Sequence, residues 1–146
     1  MQYHPISLEH DPRKAHFAYF SAMQNPYVGL TAEVDAGPLL DACHRKDWPF
    51  SLAMVWCTGR AANAVPALRQ RILNDGIVEY AFCPTSHTVA RADGTYSYCE
   101  LDCRMEREAF LPYARRQQQW AAETGGIDIR CIRSGGQSGA DEAGIM

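Results

Sequence analysis

The pattern of apolar and polar positions predicts a first helix and a first strand near the start of the chain. Asp11 and Pro12 are typical of a helix start, because an aspartate side chain caps a helix and proline fits its first turn. This helix is expected to run through Met23 and to end at Gln24-Asn25-Pro26. The stretch 28–36 then alternates apolar with polar residues, which predicts a strand with one buried face.

Two more helices are predicted in the middle of the chain. A short one runs from Leu39 to about Arg45 and is broken at Trp48-Pro49. Ser51 is the predicted cap of the next helix, which is expected to be central and largely buried. Its apolar residues recur at spacings of three and four: Leu52, Val55, Trp56, Gly59 and Ala62.

Two hairpins are predicted after these helices. Residues 67–73 turn at Asn74-Asp75-Gly76 into residues 77–80, although the apolar period alone leaves 67–73 open to a helix or a strand. Residues 87–90 turn at Asp93-Gly94 into residues 95–103, and Asp-Gly is among the strongest hairpin signals.

The last third of the chain begins with a polar helix, predicted from about Glu106 to Glu123 with an interruption at Pro112. Gly125-Gly126 ends it. A short apolar strand, 127–132, then enters a glycine-rich loop from Ser134 to Asp141.

Composition places the chain in the globular class. It has 146 residues with a net charge of −3, and the sequence allows one compact domain with a sizeable core. Mild acidity disfavours nucleic acids and anionic membranes as partners, because both attract a basic surface. With no long apolar run and no basic, apolar leader at its N-terminus, the chain is expected to be cytoplasmic.

Six cysteines invite a disulfide or zinc interpretation, but no Cys-x-x-Cys pair occurs. In a reducing compartment we expect buried, reduced thiols that behave as small apolar residues. His4, His10 and His16 recur every six residues, which matches neither a helix face nor a strand face, so no metal site is predicted.

Six stretches of the sequence form an ordered set, namely residues 12–17, 30–35, 60–63, 68–72, 84–89 and 94–97. Together they resemble the N-terminal portion of the chloramphenicol acetyltransferase family over about residues 3–105. The resemblance implies a fold, namely a two-layer α/β sandwich of the chloramphenicol acetyltransferase type, truncated at its C-terminus. It also implies that the segment at Leu68-Arg69 is a strand.

The family is a homotrimer that transfers an acetyl group from acetyl-CoA to a hydroxyl of the antibiotic. Its base is a histidine in a His-His-x-x-x-Asp-Gly motif near the C-terminus, where a neutral imidazole takes the hydroxyl proton. None of the five histidines here, including His44, begins that motif. No catalytic residue is therefore assigned, and His87, beside the implied pocket, is the one candidate for a substitute base.

The resemblance implies a substrate-binding pocket in this part of the chain. Tyr19, Phe20 and Tyr96 match its aromatic residues, and Ser86 and Thr88 match its polar strand contacts. The alternative is that these aromatics are plain core residues. An aromatic cleft between the first helix and the second hairpin, with Thr88 as the polar neighbour of Tyr96, would suit a flat, neutral ligand such as chloramphenicol.

Arg13 resembles the family's structural arginine, whose partner is the aspartate of the missing motif. It must therefore meet solvent or another carboxylate, because burying it unpaired would be costly.

A second, short resemblance lies in the tail. Residues 127–146, with the glycine-rich loop, resemble the opening strand and loop of a Rossmann-like molybdenum carrier domain, where glycines let the backbone approach a phosphate. The alternative is a mobile glycine-rich tail. The predicted division is an incomplete acetyltransferase-like domain over residues 1–125 and this tail, the possible start of a second domain, over residues 126–146.

Two functions follow as expectations. The first is acetyl transfer from acetyl-CoA to a hydroxyl of chloramphenicol or a similar small molecule, with the catalytic motif absent from this chain. The second is an inactive truncated or fused remnant that binds a ligand or forms oligomers. A homo-oligomer is expected in either case, and a trimer by resemblance.

Overall fold

The computed structural model describes residues 2–124, which form two antiparallel sheets and four helices. The strands are β1 (Tyr3–Ile6), β2 (Gln70–Leu73), β3 (Gly76–Tyr80), β4 (Thr85–Ala90) and β5 (Tyr96–Leu101). The helices are α1 (Lys14–Ser21), α2 (Gly37–Lys46), α3 (Phe50–Ala64) and α4 (Arg107–Thr124), and a short 3-10 helix spans Pro66–Arg69.

The first sheet has the strand order β1-β3-β2. The predicted hairpin between β2 and β3 is confirmed, with Leu73 opposite Gly76. Asn74 and Asp75 both have positive φ angles, of 49° and 60°. A two-residue turn of this kind matches the right-handed twist of the flanking strands.

The start of that hairpin differs from the expectation. The resemblance implied a strand at Leu68-Arg69, but both residues lie in the 3-10 helix, and β2 begins only at Gln70. The side chain of Arg69 joins this 3-10 helix to β3. Its Nε donates to the carbonyl of Tyr80 at 3.0 Å, and its Nη2 lies 2.6 Å from the carboxylate of Glu79.

The second sheet, β4-β5, carries the core. The predicted hairpin is confirmed, and its Asp93-Gly94 turn has Gly94 at a φ of 81°. One face of the sheet packs against α4, and α4 packs in turn against α3. The buried cluster between them consists of Leu52, Cys99, Leu101, Cys103, Phe110, Leu111, Ala114 and Ala121.

Helix α3 crosses the end of this hairpin at very short range. A Cβ atom on Gly59 would lie 2.7 Å from both Cys103 Sγ and Thr85 Cγ2. Only glycine lets the helix approach this closely. The prediction that α3 is central is thereby supported, but the prediction that it is largely buried is wrong, since only Leu52, Ala53 and Gly59 of its 15 residues are buried.

The strand predicted over residues 28–36 is not present. Residues 25–36 form neither helix nor strand. Its apolar side chains are almost fully in solvent, with Val28 98% exposed and Leu30 95% exposed. A strand needs a neighbour to satisfy its backbone groups. Among residues 2–124, no strand pairs with this segment.

Several element ends also differ from the predictions. Helix α1 ends at Ser21 rather than Met23, and the cap residue of α3 is Pro49 rather than Ser51, because α3 already begins at Phe50. Helix α4 runs through Pro112 without interruption. Proline removes one backbone hydrogen bond there, and the buried face of the helix compensates for it. Strand β1 was not predicted.

The five cysteines of the described chain are free thiols. The prediction that they are buried holds for Cys43, Cys99 and Cys103, whereas Cys57 and Cys83 are partly exposed. Burial raises the pKa of the Cys99 thiol, which keeps it protonated at neutral pH.

Three predictions fall on residues that the structure does not describe. The domain boundary at 125/126, the likeness of 127–146 to a Rossmann-like domain and the loop from Ser134 to Asp141 lie outside the described residues. Within residues 2–124, no helix is both long enough and apolar enough to cross a membrane.

Candidate functional site

The open face of the β4-β5 sheet, defined here as Ser86, Thr88, Ala90, Tyr96, Tyr98 and Glu100, brings together three of the predicted site residues. Alternation along β4 turns Thr85, His87 and Val89 toward the core, so that Ser86 and Thr88 lie on the opposite, exposed side. The same alternation along β5 buries Ser97, Cys99 and Leu101 and leaves Tyr96 and Tyr98 outside. On the opposite face the hairpin contacts α4, where the Ser97 hydroxyl donates to the carbonyl of Ala121 and His87 contacts Gln118.

The register of the hairpin fixes which of these residues are neighbours. Thr88 lies opposite Tyr98, and Tyr96 lies opposite Ala90. The expected pairing of Thr88 with Tyr96 is therefore diagonal rather than direct. Tyr96 and Tyr98 form an edge-to-face pair with ring centroids 5.8 Å apart. The open face thus combines two aromatic rings with the hydroxyl groups of Ser86 and Thr88.

Tyr98 joins the predicted residues on this face, although it is not among the residues predicted from the sequence. The signal was present, because Tyr96 and Tyr98 are two residues apart in a predicted strand and must share a face. The resemblance pointed to Tyr96 alone, and the register with Thr88 becomes visible only once the hairpin is built.

Tyr19 and Phe20 lie on α1, which has no buried residue. Their rings pack edge-to-face with each other at 5.3 Å, and their side chains are 64% and 49% exposed. The ring contacts of the described residues join Tyr19 to Phe20 and Tyr96 to Tyr98, without a contact between the two pairs. Tyr19, Phe20 and Tyr96 are exposed and Tyr98 is partly buried, so none of the four is a core residue, and they form two separate groups.

His87 lies on the side of β4 that faces the core, away from the open face. Its Nε2 lies 3.0 Å from the amide nitrogen of Gln118 on α4, so the neutral ring accepts a hydrogen bond there. Its Nδ1 is buried without a hydrogen-bond partner in the structure. Burial lowers the pKa of the imidazole. His87 is therefore a packed, neutral histidine that cannot reach a ligand on the open face as a base.

Arg13 forms an ion pair with another carboxylate, that of Asp11, which agrees with the expectation. Its Nη2 lies 2.7 Å from the Oδ2 atom of Asp11, and its backbone N–H donates to Asp11 Oδ1 at 2.8 Å. The hydrogen bonds and charge of Arg13 lower the pKa of the Asp11 carboxyl to about 2. This pair fixes the chain at the start of α1, and Asp102 forms the same kind of pair with Arg104 before α4.

A separate hollow of about 270 Å³ lies between α3 and the segment that leads into β4, and no predicted site residue lines it. Its polar groups already bind the protein. The Asn63 side chain donates to the carbonyl of Cys83 and accepts from the Cys83 N–H, both at 2.8 Å. Arg71 donates to the carbonyls of Leu68 and Gln70. The hollow is thus a junction that joins elements, rather than a set of free ligand-binding groups.

Comparison with known proteins identifies the fold. No protein-family model and no curated protein sequence matches this chain. A solved structure of a chloramphenicol acetyltransferase does match, with a TM-score of 0.77 and 23% sequence identity over 91% of this chain. The match covers 63% of that enzyme, so this chain spans less than two thirds of its length. The predicted α/β fold of the chloramphenicol acetyltransferase type is therefore confirmed.

Proposed function

We propose that this chain binds a flat, neutral, hydroxylated aromatic molecule of the chloramphenicol kind on the open face of the β4-β5 sheet. The single observation that carries the proposal is the convergence of Ser86, Thr88 and Tyr96, together with Tyr98, on that face. The likeness of the fold to chloramphenicol acetyltransferase supports the choice of ligand.

The chemistry of the face suits such a ligand. The tyrosine rings offer an apolar surface for an aromatic ring, and offset or edge-to-face contacts between rings are favourable. The hydroxyl groups of Ser86 and Thr88 can each donate and accept, so they can bind nitro, amide or hydroxyl groups without a formal charge. Because an open sheet face covers only one side of a ligand, we expect a dissociation constant of roughly 0.1–1 mM.

Acetyl transfer by this chain alone is not part of the proposal. Acetyl-CoA would be the donor in a complete enzyme of the matching fold, but no residue of this chain is assigned to it. The sequence holds no His-His-x-x-x-Asp-Gly motif, and the His87 ring lies on the opposite side of β4 from the proposed ligand. Without a base, the rate should fall by about 10²–10⁴-fold relative to a complete enzyme. The function supported best is therefore that of a ligand-binding module.

Calorimetric titration of chloramphenicol into the full chain tests the binding proposal. Tyr96→Ala and Tyr98→Ala should each weaken binding about tenfold, since each removes an aromatic contact. Trp120→Ala is the matched control, because Trp120 is an exposed aromatic residue of α4 and should leave binding unchanged. Equal binding by all four proteins, or no binding by wild type at millimolar ligand, would overturn the proposal.

An assay of CoA release tests separately whether this chain alone transfers acetyl groups. With acetyl-CoA and chloramphenicol, the chain should release no more thiol than a sample without chloramphenicol. Rapid turnover that survives His87→Ala would show that a base has been overlooked.

A further inference from the structure

The chain contains two Asp-Gly pairs, and each lies at the turn of a hairpin. Asp75-Gly76 lies at the turn of the β2-β3 hairpin, and Asp93-Gly94 lies at the turn of the β4-β5 hairpin. Aspartate followed by glycine readily forms a cyclic imide, because glycine has no side chain to shield its backbone nitrogen from the neighbouring carboxyl. The two pairs have the same intrinsic chemistry, so a difference in their reactivity must come from the fold.

The backbone at the first of these pairs is held in an unfavourable conformation. Two-residue turns with positive φ at both positions prefer glycine at the second position. Here Asp75 occupies that position with a φ of 60°, because the glycine comes one residue later. A side chain makes this left-handed conformation costly. In the β4-β5 turn the residue with positive φ is Gly94, at 81°, and Asp93 lies outside the left-handed region.

The two carboxylates also differ in what holds them. The Oδ1 atom of Asp93 accepts hydrogen bonds from the backbone N–H of Thr95 at 3.0 Å and from its hydroxyl at 2.5 Å. These bonds, together with the charge of Arg91, lower the pKa of the Asp93 carboxyl. Asp75 is exposed, and within residues 2–124 no group donates a hydrogen bond to its carboxylate.

We propose that Asp75-Gly76 is a site of spontaneous aspartate isomerisation in the folded protein, and that the fold protects Asp93-Gly94 from the same reaction. The glycine nitrogen attacks the carboxyl carbon of Asp75 and loses its proton to solvent, while the carboxyl OH takes up a proton and leaves as water. The product is a five-membered succinimide. Water then adds to either carbonyl of the ring and opens it to aspartate or to isoaspartate, in which the backbone runs through the former side chain.

The fold directs this reaction to the first pair because the turn must open before the glycine nitrogen can approach the carboxyl carbon. At Asp75, opening releases the left-handed backbone. At Asp93, opening breaks both hydrogen bonds from Thr95. The N–H of Gly94 is also held there, since it donates to the carbonyl of Arg91 at 3.2 Å. Loss of water further requires a protonated carboxyl, which the lowered pKa of Asp93 makes rarer.

The modification would alter the β2-β3 hairpin. Isoaspartate adds one carbon to the backbone of the turn, so the two-residue closure that places Leu73 opposite Gly76 cannot be kept unchanged. The reaction uses no residue of β4 or β5. The inference is therefore independent of the ligand proposed for the open face of the β4-β5 sheet.

Incubation of the full chain at mildly acidic pH, followed by peptide mapping, tests the proposal. Isoaspartate has the same mass as aspartate but elutes separately, and an isoaspartyl methyltransferase labels it. Residue 75 should isomerise about tenfold faster than residue 93, because the reaction at residue 93 must first break hydrogen bonds. In urea the two rates should become similar, since the unfolded chain holds neither carboxylate.

Two variants test the parts of the argument separately. Gly76→Ala should slow isomerisation at residue 75, because the added methyl group shields the attacking nitrogen. It should fold normally, since the Gly76 backbone lies outside the left-handed region and a Cβ there would lie 3.6 Å from the carbonyl oxygen of Leu73, an ordinary contact. Thr95→Val removes the hydroxyl that holds Asp93, so it should speed the reaction at residue 93 and leave the rate at residue 75 unchanged.

Four outcomes would each overturn the proposal. They are no isoaspartate at residue 75 in the folded chain, isomerisation at residue 93 as fast as at residue 75, the same ratio of the two rates in urea as in the folded chain, and a Gly76→Ala rate at residue 75 equal to that of wild type.

Discussion

Gly59 of α3 lies against Cys103 so closely that a Cβ atom on the glycine would stand 2.7 Å from the sulfur. Cys103 is fully buried, and the same Cβ would also meet Thr85. Because residue 59 has no side chain, helix α3 can pack this closely against the end of the β4-β5 hairpin.

Gly59→Ala should destabilise the fold by about 1–3 kcal/mol, the usual cost of overpacking a core. Alanine favours a helix by up to about 1 kcal/mol over glycine, and the clash must exceed that gain. Urea unfolding measures the change, with Gly29→Ala as the control, since nothing lies within 4 Å of a Cβ there. Unchanged or increased stability of Gly59→Ala would mean that the helix can move away at no cost.

Asn63→Ala should destabilise the fold by about 1–3 kcal/mol, because it leaves backbone groups without a partner. The Asn63 side chain satisfies both the N–H and the carbonyl of Cys83 and joins α3 to the segment before β4. Thr58→Ala is a suitable control, since the Thr58 hydroxyl bonds only to carbonyls of its own helix. If both substitutions had the same small effect on the unfolding free energy, the junction would not be a structural one.

Some elements of this fold could be predicted from the sequence, and others could not. The β4-β5 hairpin was predictable, because its alternation and its Asp-Gly turn are local signals. The segment 28–36 shows the same alternation but is not a strand, because alternation cannot supply a partner for the backbone. Strand β1 carries Pro5, which weakens its pattern, and pairs with β3 more than 70 residues away. A contact at that distance leaves no local trace in the sequence.

The candidate site was predictable to a similar degree. Because side chains alternate between the two faces of a strand, Ser86 must share a face with Thr88, and Tyr96 must share a face with Tyr98. The turn then sets the register that brings the two pairs together. The same alternation predicts that His87 lies on the opposite face. Its hydrogen-bond partner Gln118 lies on another element, α4, and could be identified only from the structure.

The stability of the protein should fall below about pH 6.5 through His87. Its pKa in the folded state is lowered by burial, so the unfolded chain takes up the proton first as the pH falls. The neutral ring therefore contributes fully to the free energy of unfolding above the unfolded-state pKa of about 6.5. This contribution decreases as the pH falls from there toward the folded-state pKa. His87→Gln should flatten this part of the profile of unfolding free energy against pH. A variant profile with the wild-type slope would contradict the assignment.

Asp11 should titrate at about pH 2 in the folded protein, which NMR of its carboxyl carbon can measure. Arg13→Ala should return this pKa toward the ordinary value of about 3.9, because the main cause of the shift is the side-chain hydrogen bond from Arg13. The depressed pKa stabilises the fold above about pH 3.9, and this contribution is lost as the pH falls through about 2. An Asp11 pKa that Arg13→Ala leaves unchanged would show that the pair does not form in solution.

Mapping of the chloramphenicol contact by amide NMR tests the central claim most directly, because it reports where on the fold the ligand binds. We expect saturating ligand to shift the amide resonances of Ser86, Thr88, Tyr96 and Tyr98. The amide resonances of Thr58, Asn63 and Arg71, beside the hollow at α3, should not shift. Shifts confined to the hollow, or no shifts at millimolar ligand, would contradict a binding site on the open face of the β4-β5 sheet.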